Sequence, residues 1–589
     1  MRNRSVFVGL VITIMHFVGC TNNSEKVDNL RTYAKAYGYV KYFHPGDEAS
    51  QIDWAKFSIY GASKIEKCKT KEQLVAALNN LFNPIAPSVR FLISKNKPSY
   101  DLKLITPDNT AGYRLTYWQH LGIEIGINPK NCYKSVRVGS GANPVEGKIF
   151  DAQPAFGQII TKKIGDDIYC QVPLSLYRND KNTYPRADSL AFKQLKTEIE
   201  KFDYKQDTLS LRLGNVINVY NVFQHFYPYF DVVNVNWDNE LTKALSRCFT
   251  DRSPWDYLVT LKKFTAPLKD GHIYVSANLL EIGSPLITWE WIEDKLVITH
   301  KSISIANINV GDIVTQIEGV SSKKYFEEID TQISAGTNGW LNFQANRMSL
   351  YGMRESVMKL KIKGKPIDLV RNTSANDVAL AFREIGKPYR QLGDSIWYLN
   401  MSVIEMDTIN KLLPALTKCK AIICDARGYP RGNHEFITHL MQMDDTTNSW
   451  MQIPQIIYPD HDGIAGYKME NWIPGMKARK PYLGNKKIVY IIDGRAISYA
   501  ESCLGYIEGY KLATLVGQPT AGTNGNINPF NLPGGYIISW TGMKVLKHNG
   551  SQHHGIGILP NVYVTKTIQG IKDGRDEFLD KAIEIAKQK

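Results

Sequence analysis

A serine set where a strand gives way to a helix is the residue of this sequence best placed to do chemistry. Ile488 to Ile492 is a β-branched and aromatic run with the composition of a buried strand. Asp493-Gly494 breaks it, and Ala496 to Ile507 then reads as a helix with small residues on one face. Ser498 falls at the start of that helix, among unpaired amides and at the positive end of the helix dipole. There its hydroxyl can attack a carbonyl while neighbouring amides hold the oxyanion, or it can simply cap the helix. A second stretch, Asp425-Ala-Arg-Gly428, follows another buried run. Glycine lets the backbone come close to a substrate, so the Gly428 amide is a candidate oxyanion donor, with an ordinary tight turn as the alternative.

The elements that must position these residues alternate. Ile396-Trp-Tyr-Leu-Asn, Ala421 to Asp425, Ile488 to Ile492 and Ala513 to Val516 read as strands. Asp407 to Leu416, Glu435 to Met441 and Ser498 to Ile507 read as the helices between them. That alternation predicts a mostly parallel sheet covered by helices, over residues 375–567. A C-terminal helix is expected over 568–589.

Upstream, one signature occurs twice. Leu30 to Lys41 leads into Tyr42-Phe43-His44-Pro45 and then Trp54, while Val219 to Gln224 leads into His225-Phe226-Tyr227-Pro228 and then Trp237. Proline and tryptophan are nine residues apart in both (54 − 45 and 237 − 228), and the next phenylalanine, Phe82 or Phe264, follows at 28 or 27. The match predicts a duplicated helical unit, over 27–95 and again over 205–285. The second copy alone runs on into Asp270-Gly-His272 and a β-like run. Between the copies, 98–185 changes to strand-like periods and reads as a small β domain, in which Trp118 and His120 either line a carbohydrate-binding face or pack. Over 286–365, Trp289-Glu-Trp, Leu296-Val-Ile-Thr and Val310-Gly-Asp-Ile-Val suggest strands and Gly319 a hairpin turn. That unit resembles a PDZ-like module, which binds an extended peptide at a sheet edge. The fold class is thus multidomain α+β.

The 589 residues are too many for one core, and 43% hydrophobic with 11% aromatic content is ample for folding. The net charge of +14 is thinly spread, with no Lys/Arg block interleaved with aromatics, so no nucleic-acid groove is expected. Residues 1–20 read as an export signal: Arg2 and Arg4, an apolar Val6 to Val18, then Gly19 and Cys20. Cys20 before a polar stretch resembles a bacterial lipoprotein site, which implies lipidation at Cys20. An ordinary cleaved signal is the alternative. The remaining seven cysteines show no metal spacing, and Cys132 with Cys170 is the pair a single disulfide would join.

Taken in order, Asp270-Gly-His272, the PDZ-like unit, Asp425-x-Arg-Gly428, Asp493-Gly-Arg-x-x-Ser498-x-x-Glu501, Thr520-Ala-Gly and Gly557-Ile-x-Pro-Asn resemble the tail-specific (C-terminal processing) serine protease family. The likeness covers about 205–565 and implies a core of the ClpP/crotonase type. One branch of that family places a lysine base about 25 residues after the serine; here that position is Thr523 (523 − 498 = 25). The chain therefore resembles the tricorn-core-like Ser-His branch, which implies Ser498 as nucleophile and His272 as base. It also implies the amides of Gly428 and Tyr499 as oxyanion donors. The carboxylate that this branch often places near Gly557 is replaced by His554. Glu501 and His554 are left as candidates for orienting the imidazole. The implied protein is an exported serine endopeptidase of the cell envelope of a Gram-negative-type bacterium, periplasmic or on the outer membrane, acting on polypeptides without metal or cofactor. The alternative is a binding protein for peptides or apolar ligands on the same fold.

Overall fold

The computed structural model describes residues 11–125, 132–141, 147–381, 387–393, 395–446, 450–470 and 475–588, and before Asn23 the backbone alone. Of the expected leader, residues 1–10 and the Cys20 side chain lie outside the described residues. Val11–Phe43 is one helix of 33 residues that carries the Cys20 backbone straight into the first helical unit. No helix among the described residues is long and apolar enough to cross a membrane.

The two helical units correspond element for element. Trp54–Ile65 and Trp237–Cys248 are the second helix of each, and Lys71–Phe82 and Pro254–Thr265 the third, each 12 residues long. Even the caps agree in kind: Asp53 and Asn236 begin the second helices, Thr70 and Ser253 the third, each side chain accepting an amide of the first turn. The copies do not stand apart, because each buries its apolar face against the other in a shared core. The Tyr37 hydroxyl donates to Asn218 Oδ1 at 2.6 Å, and a Cβ on Gly214 would lie 2.6 Å from the Ile59 backbone. Trp237 stacks on Phe264 with centroids 4.5 Å apart. Such a pair adds about 1 kcal/mol beyond the area it buries.

The β segment between them is not a free-standing domain. Its strand Arg114–Leu121 pairs antiparallel with Met451–Ile456, His120 opposite Ile456, in a seven-stranded sheet that includes Ile464–Met469 and Lys544–Val545 of the C-terminal half. Neither Trp118 nor His120 lines a binding face. Trp118 Nε1 donates to the His44 carbonyl, and His120 is buried between Ser135 and the Tyr42 carbonyl. Among the described residues no disulfide joins Cys132 to Cys170.

A six-stranded antiparallel sheet runs from Ile287–Ile292 to Lys365–Val370, closed by the helices Ser322–Asp330 and Asn338–Met348. Its hairpin turns at Glu318-Gly319, both with positive φ, as the twist of paired strands requires. The last sheet is mostly parallel: Ile396–Asn400, Ala421–Asp425, Lys487–Ile492 and Thr514–Gly517 lie side by side, with Tyr389–Leu392 antiparallel at one edge. Ala421–Asp425 is buried at every residue, the signature of a strand covered on both faces. The expected helix after Gly432 is a 3-10 turn, His434–His439. The expected C-terminal helix is two, Ile568–Asp573 and Glu577–Lys587, divided where Gly574 adopts φ 64°. Arg427 bridges Asp425 to Asp576 at the start of the second of these.

Candidate active site

Ser498 immediately precedes the helix Tyr499–Gly509 and follows the buried strand Lys487–Ile492. It occupies the N-cap position, yet its side chain caps nothing, which removes the simple structural account of it. Its backbone has φ 60° and ψ −120°, a conformation that favours glycine. A side chain held there costs about 1–3 kcal/mol, a cost met at sites where a group must be presented outward. Ser498→Gly should therefore raise the midpoint of urea unfolding, by about 1 kcal/mol in stability, while removing any serine chemistry. An unchanged or lower midpoint would show that the strain is not borne by Ser498.

His272 arrives from the other side of the site. The loop after Pro254–Thr265 ends in Lys269 at φ 53°, and Tyr274–Ala277 then pairs antiparallel with Tyr536–Ser539. Gly271, with no side chain, is pressed between the two halves: a Cβ on it would lie 3.0 Å from Thr523 Oγ1 and 3.1 Å from Ile497 Cδ1. The residue before His272 thus packs on the residue before Ser498. Thr523 stitches them together, its Oγ1 accepting the Gly271 amide at 2.9 Å and its carbonyl accepting the Ser498 amide at 2.9 Å. The position that carries a lysine in the other branch is here a clamp.

His272 Nδ1 lies 2.8 Å from Thr541 Oγ1. Burial holds the imidazole below the ordinary histidine range, against the opposing pull of Asp270 and Glu501. It is therefore a neutral base at neutral pH.

Neither expected orienting residue makes a hydrogen bond to the imidazole. Glu501 is buried and holds the loop after Val516: its Oε1 accepts the Gly522 amide (2.7 Å) and the Thr520 hydroxyl, and its Oε2 the Thr523 amide (2.8 Å). His553 Nε2 lies 3.3 Å from Oε2. Glu501 therefore sets Thr523, and through it both loops. His554 is stacked on Tyr229 with centroids 3.8 Å apart, and its two buried ring nitrogens have no hydrogen-bond partner. Burial lowers its pKa to about 4. An uncharged ring making no hydrogen bond orients nothing.

Of the two expected oxyanion donors, Gly428 is engaged elsewhere. The Gly428 amide donates back to the Ala426 carbonyl at 2.9 Å, closing a tight turn rather than facing Ser498. Tyr429, next along and 56% exposed, lies against the Tyr499 ring at 5.6 Å. Burial raises its phenol, and hydrogen bonds with the Ser498 side chain and the Tyr499 amide oppose that rise. The phenol thus lies beside the Ser498 side chain and the start of its helix. Sequence reasoning missed Tyr429, Thr523, Asp270 and Thr541. Asp270 lay inside a motif already picked out, whereas nothing in the chain pointed to Thr541.

The 286–365 unit touches this machinery directly. The Thr337 hydroxyl donates to the Thr520 carbonyl at 2.8 Å. Gly339 and Gly494 meet backbone to backbone: a Cβ on Gly494 would lie 2.3 Å from the Gly339 carbonyl carbon.

Residues 397–564 match the family described as peptidase family S41. No curated protein matches. Among solved structures, mature CPAF complexed with lactacystin is 14% identical with a TM-score of 0.51, over 64% of this chain and 98% of that one. A CPAF mutant is 13% identical with a TM-score of 0.52, over 64% and 97%. At these identities the likeness is one of fold.

Proposed function

With residues 397–564 forming a serine-type peptidase domain of family S41, we propose that the chain is an endopeptidase that cleaves polypeptides through an acyl-enzyme on Ser498. His272 acts as general base toward the Ser498 hydroxyl and then as general acid toward the leaving amine. The observation that carries this reading is the junction of the two loops on Thr523, which sets residues 271 and 497 in contact. The 286–365 unit acts as a PDZ-like selector: a peptide seated on it bears, through Gly339, on the turn before Ser498. Lipid on Cys20 would tether the enzyme to the cell envelope, in the periplasm or on the outer membrane.

The conformation described is a resting one. For turnover the Tyr429 phenol leaves the Tyr499 amide and the peptide at Gly428 rotates. A fluorophosphonate tests this. Ser498 should be the residue labelled, by intact mass and peptide mapping, and Tyr429→Phe should label about five times faster, the worth of one hydrogen bond of about 1 kcal/mol. The engaged Gly428 amide also favours a second reading, a peptide-binding protein of negligible turnover. Absence of label on Ser498 in both the parent and Tyr429→Phe would establish that reading in place of the first.

A further inference from the structure

The imidazole of the proposed base needs a group that fixes its tautomer, and the branch's usual carboxylate is absent from this chain. We propose that Asp270 fills that role through Thr541, as a carboxylate–threonine–imidazole relay in which Asp270 and Thr541 are positioning residues. The inference rests on the reading of Ser498 and His272 given above and names what orients them.

The relay follows from proton counting. Asp270 is fully buried and can only accept while ionised. Its Oδ2 accepts the Thr541 amide at 2.7 Å, and its Oδ1 accepts the Thr541 hydroxyl at 2.8 Å and the His272 amide at 2.9 Å. A threonine hydroxyl has one proton, and here it is spent on the carboxylate. At the 2.8 Å contact with His272, Thr541 Oγ1 is therefore the acceptor and Nδ1–H the donor. That leaves the lone pair on Nε2, the nitrogen a general base must present. During acylation the Ser498 Oγ–carbon bond forms and the hydroxyl proton moves to Nε2. It then passes to the leaving nitrogen as the carbon–nitrogen bond breaks, while Nδ1–H, the Thr541 hydroxyl proton and the Asp270 charge stay where they are.

Sheet register builds the relay. Tyr274 lies opposite Ser539 and Ser276 opposite Ile537, so the same antiparallel register continued two residues outward sets His272 opposite Thr541. The Ser539 hydroxyl donates to the His272 carbonyl at 2.8 Å and holds that edge closed. The titratable groups that face the imidazole are Asp270 from its own loop, Glu501 from the serine helix and His554 from the loop before Gly557. Among the described residues, Thr541 of the relay is the one that hydrogen-bonds the ring.

Thr541→Val keeps the shape and deletes the acceptor; Thr541→Ser keeps the acceptor. The relay predicts that Thr541→Val lowers kcat about 10- to 100-fold with little change in KM, part of the roughly 10²- to 10⁴-fold a general base supplies, because the imidazole stays but loses its orientation. It also predicts that Thr541→Ser restores kcat to within a few fold. The acid limb of kcat/KM should move to lower pH in Thr541→Val, because the imidazolium loses the acceptor that stabilises it. In the parent, ¹⁵N spectra of His272 should show the Nδ1–H tautomer. Parent-like kcat and acid limb in Thr541→Val, or equal losses in the Val and Ser variants, would overturn the relay. His272→Ala run alongside separates the two failures: if it cleaves as the parent does, the base assignment falls and the relay with it. If it is inactive while Thr541→Val is not, only the relay falls.

Discussion

Ser498→Ala, His272→Ala and the double variant should all cleave an unfolded protein substrate at the same residual rate, about 10⁴-fold or more below the parent. Equality is the sharper part of the expectation. Nucleophile and base act as one unit: without the imidazole the hydroxyl remains protonated, and without the hydroxyl the imidazole has nothing to activate. Either loss therefore removes nearly all of what both supply, and the second substitution finds nothing left to remove. Losses that multiplied in the double variant would mean that the two residues act separately, for instance with His272 only supporting the loop. Folding has to be checked on each variant. Ser498→Ala keeps a side chain at φ 60° and should melt as the parent does, whereas glycine there should stabilise. His272→Ala leaves the Asp270 and Thr541 bonds intact and should cost little stability. A fall of the stated size with an unchanged melt then belongs to chemistry.

Much of this was legible wherever the signal was local. The strand, turn and helix around Ser498 follow from a β-branched run, an Asp-Gly break and small residues at helical spacing. The duplicated helices follow from landmark spacing, because a Trp that opens the second helix in both copies must meet the same partners. What was not legible depends on which distant strands pair. Nothing in 98–185 announces that Arg114–Leu121 will pair with Met451–Ile456, since edge complementarity leaves no mark in either segment alone. Thr541 is invisible for the same reason: it becomes a partner of His272 only through the register of Tyr536–Ser539 on Tyr274–Ala277, 269 residues away from the imidazole. Gly428 illustrates a different limit. Its permissive backbone was read correctly as a place of close approach, but a glycine that can face the oxyanion can also turn away, and here its amide bonds to Ala426. Sequence names the freedom; the neighbours decide how it is used.

That distinction matters for Glu501 as well. A carboxylate one turn beyond a nucleophilic serine invites a catalytic role, yet it is saturated by two amides and a hydroxyl of the 520–523 segment. It sets Thr523, and Thr523 in turn holds the Gly271 and Ser498 amides. The 286–365 unit grips the same segment through Thr337. One loop is thus the common mechanical partner of the proposed nucleophile, the proposed base and the 286–365 unit. A displacement of that unit reaches the loops of Ser498 and His272 without crossing the core.

Acid should unfold this protein early, and the N-terminal bundle is the reason. Stability should be flat above about pH 6.5, the unfolded histidine value, and fall steadily toward pH 4. Burial lowers four imidazoles far below that value: His44 to about 3, His120, His225 and His554 to about 4. In each the folded pKa lies under the unfolded one, so between the two the unfolded chain binds more protons and gains. Each imidazole contributes at most about 1.4 kcal/mol per pH unit through that window. Several together approach the whole stability of a typical domain, about 5–15 kcal/mol. At His44 the bonding adds to burial: its Nδ1 accepts the Gly46 amide at 3.2 Å, so a proton there would set two N–H groups face to face. At His225 burial outweighs the Asp460 carboxylate, 3.4 Å from Nδ1, which pulls the other way. Three of the four lie in or against the helical bundle, and the Leu268 carbonyl just before Asp270 accepts the Tyr227 hydroxyl of that bundle at 2.6 Å. The loop that carries His272 should therefore be lost with the bundle, and activity should fall irreversibly with structure below about pH 5. Urea midpoints measured from pH 8 to pH 4 decide it. A midpoint that stays constant down to pH 5 would mean that these rings are already charged or already solvated in the native state, and the packing described for the duplicated motif would not be the one the protein adopts.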